Sequence, residues 1–371
     1  MSAAGPSQRK LCFAWACLAA LLALGLVCAS VQFRFHGNWT GLFCVGAQER
    51  IPPNLRARLF VFPESSGYDG QFYYYIACDP FRQGYANYLD APQLRYRRIL
   101  VPLGAWALGL GNPAAIPFAY VAIVLLSVLL GAYWTGRFTN RPRWGLGFLC
   151  LPAVLISLDR MVVDGTMAAL TAGFAVYSTR QRGWKLYVVL ALGALVRETG
   201  FLLAAAFCLW VLWERQWRRA LWFATAVIPS LLWTAFIDSR IPSERIPAFT
   251  WLPLRTWIEA FLHPLTYPAL PIPSWLLPAL DRLGLIGGLA AIVFSVRTGK
   301  GPVRVAAVLF GALAAWHGLP GTWLDGYGYT RSFGPLFLLV ALDGNPIPAA
   351  LPLPRVLLQL AGQFARAMFG W

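Results

Sequence analysis

The sequence predicts an all-α integral membrane protein: one polytopic domain over residues 1–371, with about ten transmembrane helices and a long first extracytoplasmic loop carrying juxtamembrane helices. Three observations predict it. Hydrophobic residues make up 58% of the chain and charged residues only 12%, against a charged fraction of about 25% in soluble domains. The apolar residues gather into long blocks, as membrane-spanning segments require. The basic residues fall mostly in short clusters between those blocks: RFTNRPR at 137–143, RQRGWK at 180–185, ERQWRR at 214–219 and RTGKGPVR at 297–304. Cytoplasmic loops carry such an excess of Lys and Arg. The net charge of +16 therefore marks loop orientation, and no single basic face is left to bind nucleic acid.

Fixing the basic clusters inside orders the elements. Arg9 and Lys10 precede an apolar run, 11–31, that is longer than a signal-peptide core; it reads as an uncleaved first helix, although VCA at 27–29 loosely resembles a cleavage site. Residues 32–98 form the long extracytoplasmic loop. The segment 99–111, ILVPLGAWALGLG preceded by arginines, is too short to span comfortably and reads as a juxtamembrane or re-entrant helix. Further spans follow at about 113–136, 144–158, 164–179, 186–196, 200–213, 219–237, 283–296, 302–317 and 332–343. The tail, 345–371, is amphipathic and is expected on the cytoplasmic leaflet.

This trace sorts the acids. All fifteen Asp and Glu except Glu214 and Asp343 fall on the outer side. Cys44 and Cys78 share the first outer loop, where a disulfide is an open question; the other five cysteines sit in apolar runs. His36, His263 and His317 are far apart and there is no CxxC, so the sequence indicates no metal site.

Five stretches carry candidate chemistry. In GYDGQFYYYIACDPF, 67–81, Gly67 and Gly70 allow a tight turn that presents Asp69 at the start of a helix beginning near Gln71. Asp69 is either a turn cap or a general base for a hydroxyl. Tyr68, Tyr74 and their neighbours are either interface anchors or a stacking surface for a sugar. In DAPQLRYRRILVP, Arg95, Arg97 and Arg98 precede an apolar helix on the side where cations are disfavoured. They either meet anionic headgroups or grip a phosphate, which arginine matches with two parallel hydrogen bonds. Asp164 opens a helix, as a cap or as a second functional carboxylate. Arg197 and Glu198 occupy the polar tip RETG of a short hairpin; ionisable groups so deep in apolar sequence are costly and point to function. Arg331, after the Gly/Tyr-rich 325–330, is either an interface anchor or part of the phosphate site.

Together these features resemble the GT-C superfamily of membrane glycosyltransferases. GYDGQFYYYIACDPF resembles the WD-x-x-x-F-x-x-IA stretch of GPI mannosyltransferases and their bacterial relatives, with Tyr68 in place of the tryptophan. YRRILVPLGAWALGLG resembles the segment where those families have PLYPLL, and Asp164 and RETG resemble their following short helices. The ordered set is similar to bacterial membrane proteins assigned to cell-surface glycopolymer formation. The double-acidic motif of some families is absent, so a divalent metal stays open but not indicated, and no other cofactor is implied.

The resemblance implies transfer of a sugar from a polyprenyl-phosphate donor to a glycan or lipid acceptor, on the extracytoplasmic face of a bacterial inner membrane. Asp69 would be the base. Arg95, Arg97, Arg98, Asp164, Arg197, Glu198, Arg331, Tyr68, Gln71 and Tyr74 would form the substrate-binding set. Two other classes meet the same observations: a transporter or flippase of lipid-linked sugars, and a non-catalytic partner in a polysaccharide assembly complex.

Overall fold

The computed structural model describes residues 6–81, 83–180, 183–242, 249–267 and 272–369. Among the described residues the fold is all-α apart from Val45–Gly46, which pairs in parallel with Val61–Phe62, and two isolated β-bridges. Among the described residues, four helices are long and apolar enough to cross a membrane: Ser7–Arg34, Ile116–Thr139, Trp217–Asp238 and Leu276–Ser295. The apolar helices Gly183–Val196, Glu198–Trp213 and Pro302–Ala315 are shorter. By length, then, four of the about ten expected spans qualify. The apolar runs are cut by sequence: Pro152 divides Trp144–Leu149 from Pro152–Arg160, and the RETG tip divides the hairpin.

The helices alternate in direction, which gives the bundle two chemically distinct ends. At one end, Gln8 Nε2 donates to the Asn140 carbonyl (2.8 Å) and Arg180 Nη2 donates to the Arg137 carbonyl (2.9 Å). The basic segment 137–143 and Arg180 meet there. At the other end the acids meet arginines, beginning with the buried pair Arg34–Asp159 (2.6 Å). The Leu100–Leu108 helix packs against Gly70–Cys78 and Ile116–Thr139 at this second end. Its nine residues reach roughly 14 Å, too short to cross a hydrocarbon core of about 30 Å.

The tail departs from the sequence trace. It was expected at the basic end, but its helix Leu353–Phe369 lies at the acid–arginine end. Arg355 Nε donates to Asp281 (2.8 Å), Arg34 donates to Gln363, and the Arg34 guanidinium lies 5.3 Å from the Phe364 ring. The reason is local. Gly334–Leu342 has only nine residues. Gly344, at φ +101°, and Pro346 then turn the chain back instead of letting it cross.

The turn that holds Asp69 follows from its glycines. Gly67 has φ +79°, where a side chain would be strained, and a Cβ there would stand 2.6 Å from the Cys44 carbonyl oxygen. At Gly70 a Cβ would collide with the Arg160 carbonyl. Gln71 locks the same turn, accepting from Gly46 N (3.2 Å) and donating to the Ser66 carbonyl (2.9 Å).

Candidate functional site

At the acid–arginine end, five segments contribute side chains to one row of alternating charge. The residue before the Gly70–Cys78 helix supplies Asp69, and the Pro92–Arg97 helix and its cap supply Arg95 and Arg98. Asp164 comes from the first turn of Asp164–Thr179. Arg197 and Glu198 come from the hairpin tip, and Arg331 from the last turn of Gly326–Ser332.

The row runs as follows. Arg95 bridges Asp90 (2.7 Å) and Asp69 (2.7 Å). Asp69 also meets Arg331 (2.5 Å), whose same nitrogen lies 3.7 Å from Asp164. Asp164 pairs with Arg197, which lies 3.6 Å from Glu198; Glu198 then accepts two hydrogen bonds from Arg98, at 2.6 and 2.9 Å. Arg98 also donates to the Tyr73 hydroxyl (3.1 Å). Four carboxylates thus balance four arginines.

Several alternatives left open by the sequence close here. Asp69 makes no side-chain cap bond; both its oxygens face arginine. Asp164 is not a cap either, since its helix makes no such bond and its carboxylate is spent on Arg197 and Arg331. Arg197 and Glu198 are neighbours, yet each finds its shorter contact elsewhere, because Arg197 is extended (φ −159°). Arg331 is held by Asp69 and lies over the Tyr68 ring (4.9 Å). An N-cap by Asp325, which accepts from Tyr327 N (3.0 Å), starts the helix that delivers it.

Three candidates sit apart from the row. Arg97 pairs with Asp238 (2.8 Å) at the rim. Gln71 is occupied in the turn. Tyr74 is buried, packs its ring at a tilt against Phe43 and donates to the Pro113 carbonyl (3.1 Å). Tyr73, Tyr74 and Tyr75 are all fully buried, so they are neither interface anchors nor an open stacking surface; Tyr68 presents its ring to Arg331 (4.9 Å) and the buried Tyr73 ring lies 5.8 Å from Arg95.

Sequence reasoning missed Asp90, whose signal was its spacing five residues before Arg95. It also missed a second buried cluster. Asp159 accepts from Arg34 (2.6 Å) and from the Tyr327 hydroxyl (3.3 Å), and Arg160 lies beside it (3.0 Å). Arg160 also contacts Cys44 Sγ (2.6 Å). All seven cysteines are free, Cys44 and Cys78 included. Glu244 lies outside the described residues.

The electrostatics follow from the pairing. Burial alone would raise the Asp69 carboxyl, but Arg331 and Arg95 outweigh it and hold it well below the usual carboxylate range. Burial pushes the Tyr68 phenol up, so it stays a protonated donor. The Tyr68 hydroxyl and Arg331 Nε are buried without a hydrogen-bond partner among the described residues. Among the described residues, no group of three His, Cys, Asp or Glu stands close enough to hold a metal. Such a row can bind an anion through arginine and accept a proton through carboxylate.

Searches against family models, curated proteins and solved structures return no match. The long apolar helices mark a membrane protein; what it does rests on the site.

Proposed function

We propose that this chain is a membrane glycosyltransferase. It moves a sugar from a polyprenyl-phosphate donor to an extracytoplasmic acceptor in the assembly of a cell-surface polysaccharide or glycopolymer. On this reading it lies in a bacterial inner membrane with the Asp69 end outward. One observation carries the reading: a carboxylate and several arginines from five separate segments are packed together at one end of an apolar bundle.

Glycosyl transfer from a lipid phosphate needs those two groups. A hydroxyl nucleophile needs a base, and a departing phosphate needs fixed positive charge. Asp69 accepts the acceptor's hydroxyl proton as that oxygen attacks the anomeric carbon. The bond from that carbon to the phosphate oxygen breaks, and its electron pair leaves with the prenyl phosphate. Inversion follows from attack opposite the leaving group. Arg331, Arg95 and Arg98 neutralise the phosphate, while Asp164 and Glu198 hold the arginines in place. Arg97 serves the rim.

The test is complementation. A strain lacking the gene receives the wild type or Asp69→Asn at matched membrane levels, and its surface glycan is profiled by mass. Loss of one sugar increment in Asp69→Asn supports the reading. Full product from Asp69→Asn removes Asp69 as the base and favours a transporter or an assembly partner.

A further inference from the structure

We infer that the donor's phosphate and Asp69 compete for the same arginines, so that donor binding is what releases the base. The inference takes the donor's identity from the transferase reading; the competition itself rests on geometry.

Asp69 Oδ2 lies 2.7 Å from Arg95 and 2.5 Å from Arg331, and Oδ1 accepts from Arg95 at 2.8 Å. A carboxylate clamped in this way has little basicity left for a hydroxyl. The arginines are equally committed, since every one in the row has a carboxylate partner. A phosphate entering the row must therefore displace a carboxylate. Asp90 and Glu198 are more exposed, at 43% and 41%, but their pairs are with Arg95, Arg98 and Arg197. Of the two carboxylates on Arg331, Asp69 is the more readily displaced: its side chain is 14% exposed, whereas that of Asp164 is 1% exposed.

Two buried donors without a hydrogen-bond partner among the described residues stand beside the Asp69–Arg331 pair, Arg331 Nε and the Tyr68 hydroxyl. They suit the extra oxygens of a phosphate, which has more acceptor sites than the carboxylate it replaces. Once Arg331 and Arg95 turn to phosphate, Asp69 loses the two charges that suppress it and regains proton affinity. Binding is then ordered, donor first, because an acceptor arriving early meets an idle carboxylate. The recognised chemistry is a phosphate ester, carried on a lipid or free.

The test uses the full-length protein in detergent micelles and two probes, farnesyl phosphate and inorganic phosphate, followed by tryptophan fluorescence. Asp69→Asn should bind farnesyl phosphate roughly tenfold more tightly than wild type or better, the scale of close charge pairs at interfaces. Arg331→Gln should bind it more weakly. Equal or weaker binding by Asp69→Asn overturns the competition.

If Asp69→Asn alone does not fold, the double variant Asp69→Asn/Arg95→Gln removes one charge of each sign and carries the same test. It should bind more tightly than Arg95→Gln alone, and binding no tighter than that overturns the inference. A gain shared by inorganic phosphate supports competition for the phosphate group itself. A gain confined to farnesyl phosphate supports competition by the lipid-borne ester. Tighter binding with the sugar increment intact would keep the competition and overturn the transferase reading. A lost increment with no gain in binding would do the reverse.

Discussion

Asp69 makes the residue-scale case, because its partners fix its behaviour with pH. Its carboxyl is held below the usual range by Arg331 and Arg95 despite burial. A depressed folded value means stability that is fully present above the unfolded value, about 3.9, and is lost as pH falls through the folded value. The melting-temperature gap between wild type and Asp69→Asn should therefore stay constant from pH 8 to pH 5 and narrow below about pH 4. A gap that closes already between pH 7 and pH 5 would mean that Asp69 is not ion-paired. At this scale much of the site was legible. Asp69, Arg95, Arg98, Asp164, Arg197, Glu198 and Arg331 stand out because charge in apolar sequence is costly, and costly groups find partners. Gln71 and Tyr74 were not separable from them. Their polar atoms satisfy backbone groups of segments remote in sequence, Gly46 and Pro113, and nothing local announces such partners.

Elements place these residues, and the tightest placement is the start of the Gly70–Cys78 helix. A methyl at Gly70 would collide with the Arg160 carbonyl and come within 2.9 Å of the Phe43 carbonyl oxygen. Both obstacles are backbone, so the helix start must shift, and Asp69 shifts with it. Gly70→Ala should cost about 1–3 kcal/mol, read as a lower melting temperature, and should cut sugar transfer more than stability alone explains. An unchanged melting temperature would show that the helix start is not packed against Arg160. The turn around Gly67 and Gly70 was legible from glycine spacing; its closeness to Arg160 was not, since position 160 belongs to another helix. The tail's contacts with the acid–arginine end were hidden for a related reason. Counting apolar runs treats each as a crossing, and the nine-residue Gly334–Leu342 helix counts as one although it turns back. The buried partners of the tail, Asp281 for Arg355 and Arg34 for Gln363, are tertiary and leave no periodic trace.

For the whole molecule, the alternation of helices makes a claim about sides that can be tested directly. If the bundle crosses a membrane, exposed positions at the acid–arginine end share one compartment and the basic loops share the other. Glu64 and Arg366 are exposed, and so is Arg141 in the basic loop that follows Ile116–Thr139. The sequence trace put Arg366 with Arg141; the fold puts it with Glu64, because Arg34 and Asp281 hold the Leu353–Phe369 helix at the site end. Single cysteines at these three positions, in a background with the native cysteines replaced, separate the two topologies. With a membrane-impermeant thiol reagent on intact cells, Glu64→Cys and Arg366→Cys should label together, and Arg141→Cys only after permeabilisation. Labelling of Arg366→Cys with Arg141→Cys would return the tail to the opposite side and break its contacts with Arg34. Labelling of Glu64→Cys with Arg141→Cys would break the two-ended bundle itself, and with it the idea that acids and arginines are gathered where an external substrate can reach them. Expected labelling would place the tail helix on the same face as the site. Gln363 would then hold Arg34, Arg34 would hold Asp159, and Asp159 would receive the Tyr327 hydroxyl from the helix that carries Arg331.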